Sequence, residues 1–424
     1  MINFANVKEW KIPYNGSLVD VLQVKDSNNT RVIWEKSTPG PDYTEPFYVE
    51  NITNSTETVI IKKRSTVSSY SPSNAPTLTI EYSTDKSNWS TKGDTSNELS
   101  FTLNAGSKIY LRCNTSKWSY TISTISPSAG SLGAANYCWN SITGCSKIGG
   151  NILSLIYGNE FDGTQTTLKS TWSFVQIFSE ATDSTYNTDL VDASKLILPA
   201  NPRSYGYAYM FYRCYSLTAA PALPATTLAQ NCYLQMFRHC ESLVTSPALP
   251  AQSVASSSYE AMFASCYNLQ NVGEISATTL NSYSMHAMFA DCTSLMDAPD
   301  LINLTTLADL CCCNMFGHCT SLVSPPTLSA TTLATACYYN MFYGCTSLTF
   351  TPVLPASTLV GNCYYQMFYG CSLLNDVKCY ATTITGTTNW LYGVANSGTF
   401  TKASGATWSS DTSGIPPGWT VVDA

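Results

Sequence analysis

The chain has 424 residues, a net charge of −7, and only 12% Asp, Glu, Lys and Arg. That charged share is about half of the usual one, and the negative sign argues against nucleic acid as a partner. No apolar run approaches the length of a bilayer span, which argues against membrane insertion. At this length one ordinary core is too small, so two or three domains are expected.

Residues 1–45 predict a short β unit and a linker. Val21–Lys25 and Arg31–Lys36 flank the turn-prone residues 27–29, and a proline-rich stretch follows. So short a segment hardly holds a core alone, so we expect it to anchor the chain to another protein. The start of the chain lacks a basic and then an apolar segment, so no secretion signal is expected.

Residues 46–127 predict a small β-sandwich of immunoglobulin-like size. The first strand is predicted at Thr58–Lys63. Three further strands are predicted from apolar residues that alternate along the chain: Leu78, Ile80 and Tyr82; Leu99, Phe101 and Leu103; Ile109, Leu111 and Cys113. Residues 128–200 predict irregular first coils and an N-terminal cap. Two stretches there, 141–145 and 177–181, resemble degenerate copies of the Met-Phe-x-x-Cys motif that recurs later in the chain.

Residues 201–395 contain a repeat. The motif Met-Phe-x-x-Cys recurs with its methionine at positions 210, 236, 262, 288, 315, 341 and 367, in steps of 26 or 27 residues. Self-similarity at such a period predicts a stacked-repeat solenoid. Twelve of the 17 cysteines keep register with the repeat. Free cysteine is often buried, so we favour reduced core ladders over disulfides or metal ligands.

Each repeat unit divides into two halves. The half from Leu322 to Leu328 is broken by proline and predicts a brief strand. In the half from Thr332 to Cys345, apolar residues at steps of 4, 4, 1 and 3 predict an amphipathic helix. The predicted fold class is therefore α+β, a solenoid of strand–helix units. Residues 396–424 leave the register and predict an aromatic C-terminal cap.

The repeat resembles a known family. It is similar to the BspA-type leucine-rich repeats in three successive stretches: Cys-x-Ser-Leu, then Leu-Pro-Ala-Thr-Thr-Leu-Ala, then Asn-Cys-Tyr-x-x-Met-Phe-x-x-Cys. These occur in surface adhesins of gut and oral bacteria and in virion proteins of their phages. The resemblance implies core leucines at the strand and a helix-side core of Met-Phe and cysteine. The units near Ile275 and Leu301 depart from the pattern.

The sequence offers little chemistry. His239 and His318 share a repeat position three coils apart, on the order of 15 Å at the usual strand spacing, too far to share one metal. His286 lies elsewhere in its unit and is interpreted as a surface residue. Cys311-Cys312-Cys313 lacks the spacing of zinc ligands. We therefore predict no catalytic residue, no metal site and no cofactor.

Tyrosines are the best binding candidates. Tyr212, Tyr343 and Tyr369 follow the Met-Phe pair, whereas Tyr338 and Tyr364 precede it. A stripe of half-exposed tyrosines suits contact with sugar or protein, although packing along the array remains the alternative. Residues that vary between copies, such as Arg213 and Tyr343, are expected to carry recognition.

The resemblance, together with the missing secretion signal, the short N-terminal unit and the position of the array after a linker, implies a non-enzymatic phage virion or fibre protein at the virion surface. Residues 1–45 would attach to other virion proteins, and the array would bind a host or gut glycan or protein through many weak contacts. The chain resembles no heptad repeat, so a homo-oligomer such as a trimer would form through β contacts. The alternative is an adhesin on the cell surface of a gut bacterium.

Overall fold

The computed structural model describes residues 7–14, 17–25, 30–37, 41–65, 79–93, 98–113, 119–121, 137–179 and 186–424. Within these ranges the protein is mostly strand, with a single short α-helix. Its C-terminal half is a β-solenoid of about seven turns. The predicted solenoid is therefore confirmed, but the predicted share of helix is wrong.

The N-terminal segment forms a three-stranded antiparallel sheet. Its strands are β1 (Val7–Tyr14), β2 (Ser17–Lys25) and β3 (Thr30–Ser37), in that order across the sheet. The two strands predicted before and after the turn-prone residues fall in β2 and β3. The turn itself, at residues 26–29, lies outside the described residues.

Two further sheets follow. Their strands are β4 (Tyr48–Glu50), β5 (Glu57–Ser65), β6 (Thr79–Ser83), β7 (Ser90–Gly93), β8 (Glu98–Leu103), β9 (Lys108–Arg112), β10 (Ser119–Thr121), β11 (Tyr137–Thr143), β12 (Lys147–Asn151) and β13 (Asp192–Ile197). One sheet has the order β10-β11-β5-β8 and the other β13-β12-β4-β9-β6-β7. Strand β8 alternates exposed and buried residues, as predicted. The two sheets share one core, in which the rings of Tyr82 and Phe101 lie 5.2 Å apart.

The stretch predicted as irregular coils belongs partly to these sheets. Residues 141–143 lie in β11, which pairs antiparallel with β5. The Ile142 N–H also donates to the Ile177 carbonyl at 2.7 Å, in the same way as Phe178 donates to the Met210 carbonyl in the next coil. The short helix α1 (Ser154–Tyr157) and a 3-10 turn at Gly158–Glu160 come next. Strand β13 then pairs parallel with β12. Parallel pairing is how solenoid coils stack, so this pair joins the sheet to the array.

The predicted helix in each unit is replaced by a run of tight turns. In the unit of Met341, residues Ala336, Asn340 and Gly344 have left-handed φ values of 52°, 55° and 72°. Alternate N–H groups donate to the next coil, as Phe342 does to the Met367 carbonyl at 2.8 Å. The remaining N–H groups donate three residues back along the chain. A left-handed residue at every fourth position excludes an α-helix, although the spacing of apolar residues fits both structures.

The other half of each unit is extended, as predicted. Its neighbours pair in parallel through short strands and single bridges. The strands are β14 (Ser253–Val254), β15 (Thr279–Leu280), β16 (Asp376–Cys379), β17 (Thr399–Lys402) and β18 (Thr420–Asp423). The last three form one parallel sheet. Trp390 stacks on Trp408 at 5.3 Å at this end of the core.

Two ladders fill the interior of the array. Buried phenylalanines stack at 5.2–5.7 Å from Phe178 through Phe211 to Phe368. Phe47, just before β4, stacks on Phe178 at 6.0 Å, so the ladder continues into the sheet core. Beside it runs the predicted cysteine ladder. Each thiol donates to a phenylalanine carbonyl of the preceding coil, as Cys292 does to Phe263 at 3.2 Å.

Candidate functional site

The best candidate site is a row of residue pairs that we call the outer edge. Each pair immediately precedes a core cysteine or its last equivalent, and the pairs stack along the array. The pairs are Tyr212-Arg213, Arg238-His239, Ala264-Ser265, Ala290-Asp291, Gly317-His318, Tyr343-Gly344, Tyr369-Gly370 and Tyr392-Gly393. The second residue of every pair has a left-handed φ. The turn therefore fixes the backbone, while the side chains differ from coil to coil.

The N-terminal end of the outer edge is cationic and aromatic. The guanidinium of Arg213 lies 5.1 Å from the ring centre of Tyr212 and 5.6 Å from that of Tyr186. Tyr212 also meets the ring of His239 edge-on at 5.9 Å. Tyr186 is 42% exposed, and its ring also stacks on that of Tyr215 at 4.5 Å. Arginine held against aromatic rings is common where proteins bind ligands.

Several donors at this end lack a partner. The Nε atoms of Arg213 and Arg238 are buried and have no hydrogen bond among the described residues. Burial, and then the charges of Arg238 and Arg213, lower the pKa of His239 to about 4. At neutral pH the two arginines therefore carry the charge at this end. Unpaired buried donors cost free energy, and because both Nε atoms are buried an acceptor reaches them only if the side chains move. The Nη1 group of Arg238 already donates to Gln235 Oε1 at 3.0 Å.

The C-terminal end of the outer edge is a ladder of tyrosines. Tyr343 and Tyr369 stack at 4.9 Å, Tyr369 and Tyr392 stack at 4.8 Å, and His318 meets Tyr343 edge-on at 5.2 Å. Rings stacked so closely cover one another's faces, so their edges and hydroxyls are left for a ligand. Tyr392 is 48% exposed at the end of the ladder.

Glycines follow each of these tyrosines. Gly344, Gly370 and Gly393 have φ values of 72°, 73° and 77°. A Cβ at Gly344 would come within 2.7 Å of the Nδ1 atom of His318. The glycine therefore lets the imidazole lie against the backbone, and it leaves a strip without side chains beside the tyrosines. Such a strip with a row of hydroxyls suits an extended polar ligand.

Two of the predicted binding tyrosines lie elsewhere. Tyr338 and Tyr364 are only 2% and 1% exposed and belong to the main core. They stack on each other at 6.3 Å, and burial raises the pKa of both hydroxyls well above 10. The prediction that they are half-exposed is wrong because the turn geometry points them inward. The neighbouring Tyr339 and Tyr365 are the half-buried pair, stacked at 4.6 Å.

Sequence reasoning also missed a second row. Glu260, His286 and Cys313 hold the same position in three successive coils. The alignment of the copies would have shown this, because each lies two residues before the methionine of its unit. In the described part of the chain, no group of three or more His, Cys, Asp and Glu side chains is arranged to hold a metal ion. The row is therefore linear rather than convergent.

Comparison of the chain with protein-family models, with curated proteins and with solved structures finds no match. Among the described residues, no helix is long and apolar enough to cross a membrane.

Proposed function

We propose that the protein is a non-enzymatic structural or fibre protein at the surface of a phage particle. Residues 1–45 attach it to the particle. The two antiparallel sheets act as an immunoglobulin-like β-sandwich spacer, and the solenoid is a BspA-type repeat array. The array binds a glycan or protein of the host surface or the gut.

The observation that supports binding is the outer edge. Most buried polar groups in proteins have partners, yet the Nε atoms of Arg213 and Arg238, on two stacked coils, have none among the described residues. The Arg213 guanidinium also lies against the ring of the exposed Tyr186. A row repeated on a rigid array also suits a polymer, because neighbouring sites bind neighbouring parts of one ligand. Both features favour an extended acceptor-bearing ligand over a small molecule in a cavity.

The architecture supports the proposed division of labour. The three-stranded sheet precedes the other sheets and the array in the chain. A small sheet gains stability when it docks on another protein. The outer edge lies in a different part of the chain, so attachment and recognition can be separated by mutation.

One experiment tests both parts. We would make the full chain, a form lacking residues 1–45, and the double variant Arg213→Ala with Tyr369→Ala. Each would be tested for incorporation into particles and, as purified labelled protein, for binding to host cells. We expect the deletion to lose incorporation but keep cell binding. We expect the double variant to keep incorporation and to bind cells at least about tenfold more weakly.

A matched control is Val353→Ala with Phe350→Ala, since both residues are exposed but lie off the outer edge. That control should bind like the full chain. If the deletion is incorporated normally, the anchor proposal is wrong. If the outer-edge variant and the control bind cells equally well, the recognition proposal is wrong. Binding to gut bacterial cells without any incorporation would favour a bacterial adhesin.

A further inference from the structure

The positive charges of the array are concentrated in its first coils. Arg203, Arg213 and Arg238 lie there, and no lysine or arginine occurs between Arg238 and Lys378. Lys378 itself has an ion pair with Asp376 at 3.6 Å. The whole chain has a net charge of −7, so cations that are not neutralised by a carboxylate give this end a local attraction for anions.

The guanidinium of Arg213 is held by aromatic rings and not by a carboxylate. It lies against the rings of Tyr212 and Tyr186, at 5.1 and 5.6 Å from their centres. Among the described residues, Arg213 has no ion pair and its side chain donates no hydrogen bond. Only its Nε atom is buried, so the Nη1 and Nη2 groups reach solvent. These two groups are the part of arginine that binds a carboxylate or sulfate through parallel hydrogen bonds.

Arg238 places a second guanidinium on the next coil. The Arg213 N–H donates to the Arg238 carbonyl at 2.9 Å, so the two backbones are hydrogen-bonded neighbours. The Nη1 group of Arg238 donates to Gln235, whereas its Nη2 group is not buried and has no partner among the described residues. Burial, and then the charges of both arginines, lower the pKa of His239. Both cations therefore act on the same part of the outer edge.

Carboxylates limit the length of this positive surface. Glu241 lies in the same coil as Arg238, Glu260 lies in the next coil, and Asp291 lies on the outer edge one coil further on. A densely charged anionic polymer would meet these carboxylates and be repelled by them. The surface therefore suits a ligand that carries a single anionic group, or widely spaced ones, on an otherwise neutral polar chain.

We propose that Arg213 and Arg238 bind the carboxylate or sulfate group of an acidic sugar, within a glycan whose acidic sugars are separated by neutral ones. This inference rests on the proposed binding function of the array and names the chemistry of its ligand. The Nη groups of Arg213 donate to two oxygens of the anion, and Arg238 adds a donor from the next coil. The neutral sugars carry no charge that Glu260 or Asp291 would repel.

The test uses three polymers with one backbone: dextran, dextran with sparse carboxymethyl groups, and dextran with sparse sulfate groups. Each is immobilised, and binding of the purified full chain is measured by biolayer interferometry. We expect at least one charged polymer to bind at least about tenfold more tightly than dextran, and a difference between the two charged polymers identifies the anionic group. Arg213→Gln and Arg238→Gln should each weaken that binding by at least about tenfold.

Arg203→Gln is the matched control. It removes the same charge from the first coils, but Arg203 lies off the outer edge, where its Nε group donates to the Leu168 carbonyl at 3.3 Å. This variant should bind like the full chain. Equal binding of dextran and both charged polymers, or equal weakening by Arg203→Gln and Arg213→Gln, would overturn the inference. If one outer-edge variant fails to fold, the other decides.

Binding to host cells separates this inference from the proposed function. If the full chain binds cells, but neither Arg213→Gln nor an excess of the charged dextrans reduces that binding, the acidic ligand is wrong and host recognition stands. If the full chain binds no cells, yet binds a charged dextran through both arginines, the acidic-sugar site stands and host recognition is wrong.

Discussion

The inside and the outside of the array follow opposite rules. Inside, each coil repeats the same residues, and the stacked phenylalanines and cysteines are buried without exception among the array residues. Outside, the residue at an equivalent position differs from coil to coil. The position of Glu260 is occupied by His286, Cys313 and Tyr339 in the next three coils. Positions that repeat therefore pack in the core, whereas the positions that differ between copies carry the chemically distinct side chains. Each prediction below tests this contrast.

A substitution in the phenylalanine ladder should cause the largest loss of stability. Phe289 is fully buried and stacks on Phe263 and Phe316, both at 5.7 Å. Phe289→Ala removes both contacts and leaves a cavity, so we expect a loss of about 3–5 kcal/mol in the free energy of unfolding. Urea unfolding followed by circular dichroism measures it. Phe350→Ala, at a residue that is 44% exposed, should cost less than about 0.5 kcal/mol. Equal losses would contradict the contrast.

A substitution in the cysteine ladder should cause the second-largest loss of stability. Cys292 is fully buried, and its thiol donates to the Phe263 carbonyl at 3.2 Å. Cys292→Ala removes the sulfur and this bond, so we expect a loss of about 1–3 kcal/mol. The same unfolding measurement applies. Cys313→Ala is the matched control, since Cys313 lies in the row of Glu260 and His286 and not in the ladder, and we expect a smaller loss there. A larger loss at Cys313 would contradict the assignment of the two rows.

Much of the fold could be predicted from the sequence, and the error has a definite cause. The repeat period predicted the solenoid, and Cys337, Met341 and Phe342 are buried, as predicted. The same residues predicted a helix because a spacing of four residues is close to the roughly 3.6 residues per turn of an α-helix. The left-handed φ values decide otherwise, at residues as different as Asn340 and Ala336. No strong local signal marks them, because the bonds that hold them come from the next coil.

The site was less predictable. Tyr343 and Tyr369 are half-buried on the outer edge, where the sequence placed them, whereas Tyr338 and Tyr364 are buried. A helix and a run of turns direct the residues before the Met-Phe pair to different sides. Aligning the copies places Glu260, His286 and Cys313 in one column, and stacking of the coils makes residues 26 or 27 apart neighbours. These three residues share no residue type, so a search for a repeated residue does not reveal them.

The turn geometry itself can be tested at Asn362. This residue is exposed, and its φ is 55°. Glycine adopts that conformation freely, whereas alanine pays about 1–2 kcal/mol for it. We therefore expect Asn362→Gly to be more stable than Asn362→Ala by about 1 kcal/mol. In an α-helix the order would be reversed by a similar amount. Thermal unfolding of both variants decides between the two structures.

The two histidines of the outer surface should respond to pH in opposite directions. The pKa of His286 is raised to about 9, so the stability it contributes is present below its unfolded pKa of about 6.5 and is lost as pH rises towards 9. The pKa of His239 is lowered to about 4, so its contribution is present above about 6.5 and is lost as pH falls towards 4. Unfolding from pH 4 to 10 measures both contributions.

Matched variants separate the two effects. His286→Asn should flatten the alkaline side of the stability profile and leave the acid side unchanged. His239→Asn should do the reverse. Both changes are expected to be the smallest of the series, because each histidine is only partly buried and solvent screens its charge. A profile in which His286→Asn alters only the acid side would show that the imidazole does not hold its proton at neutral pH.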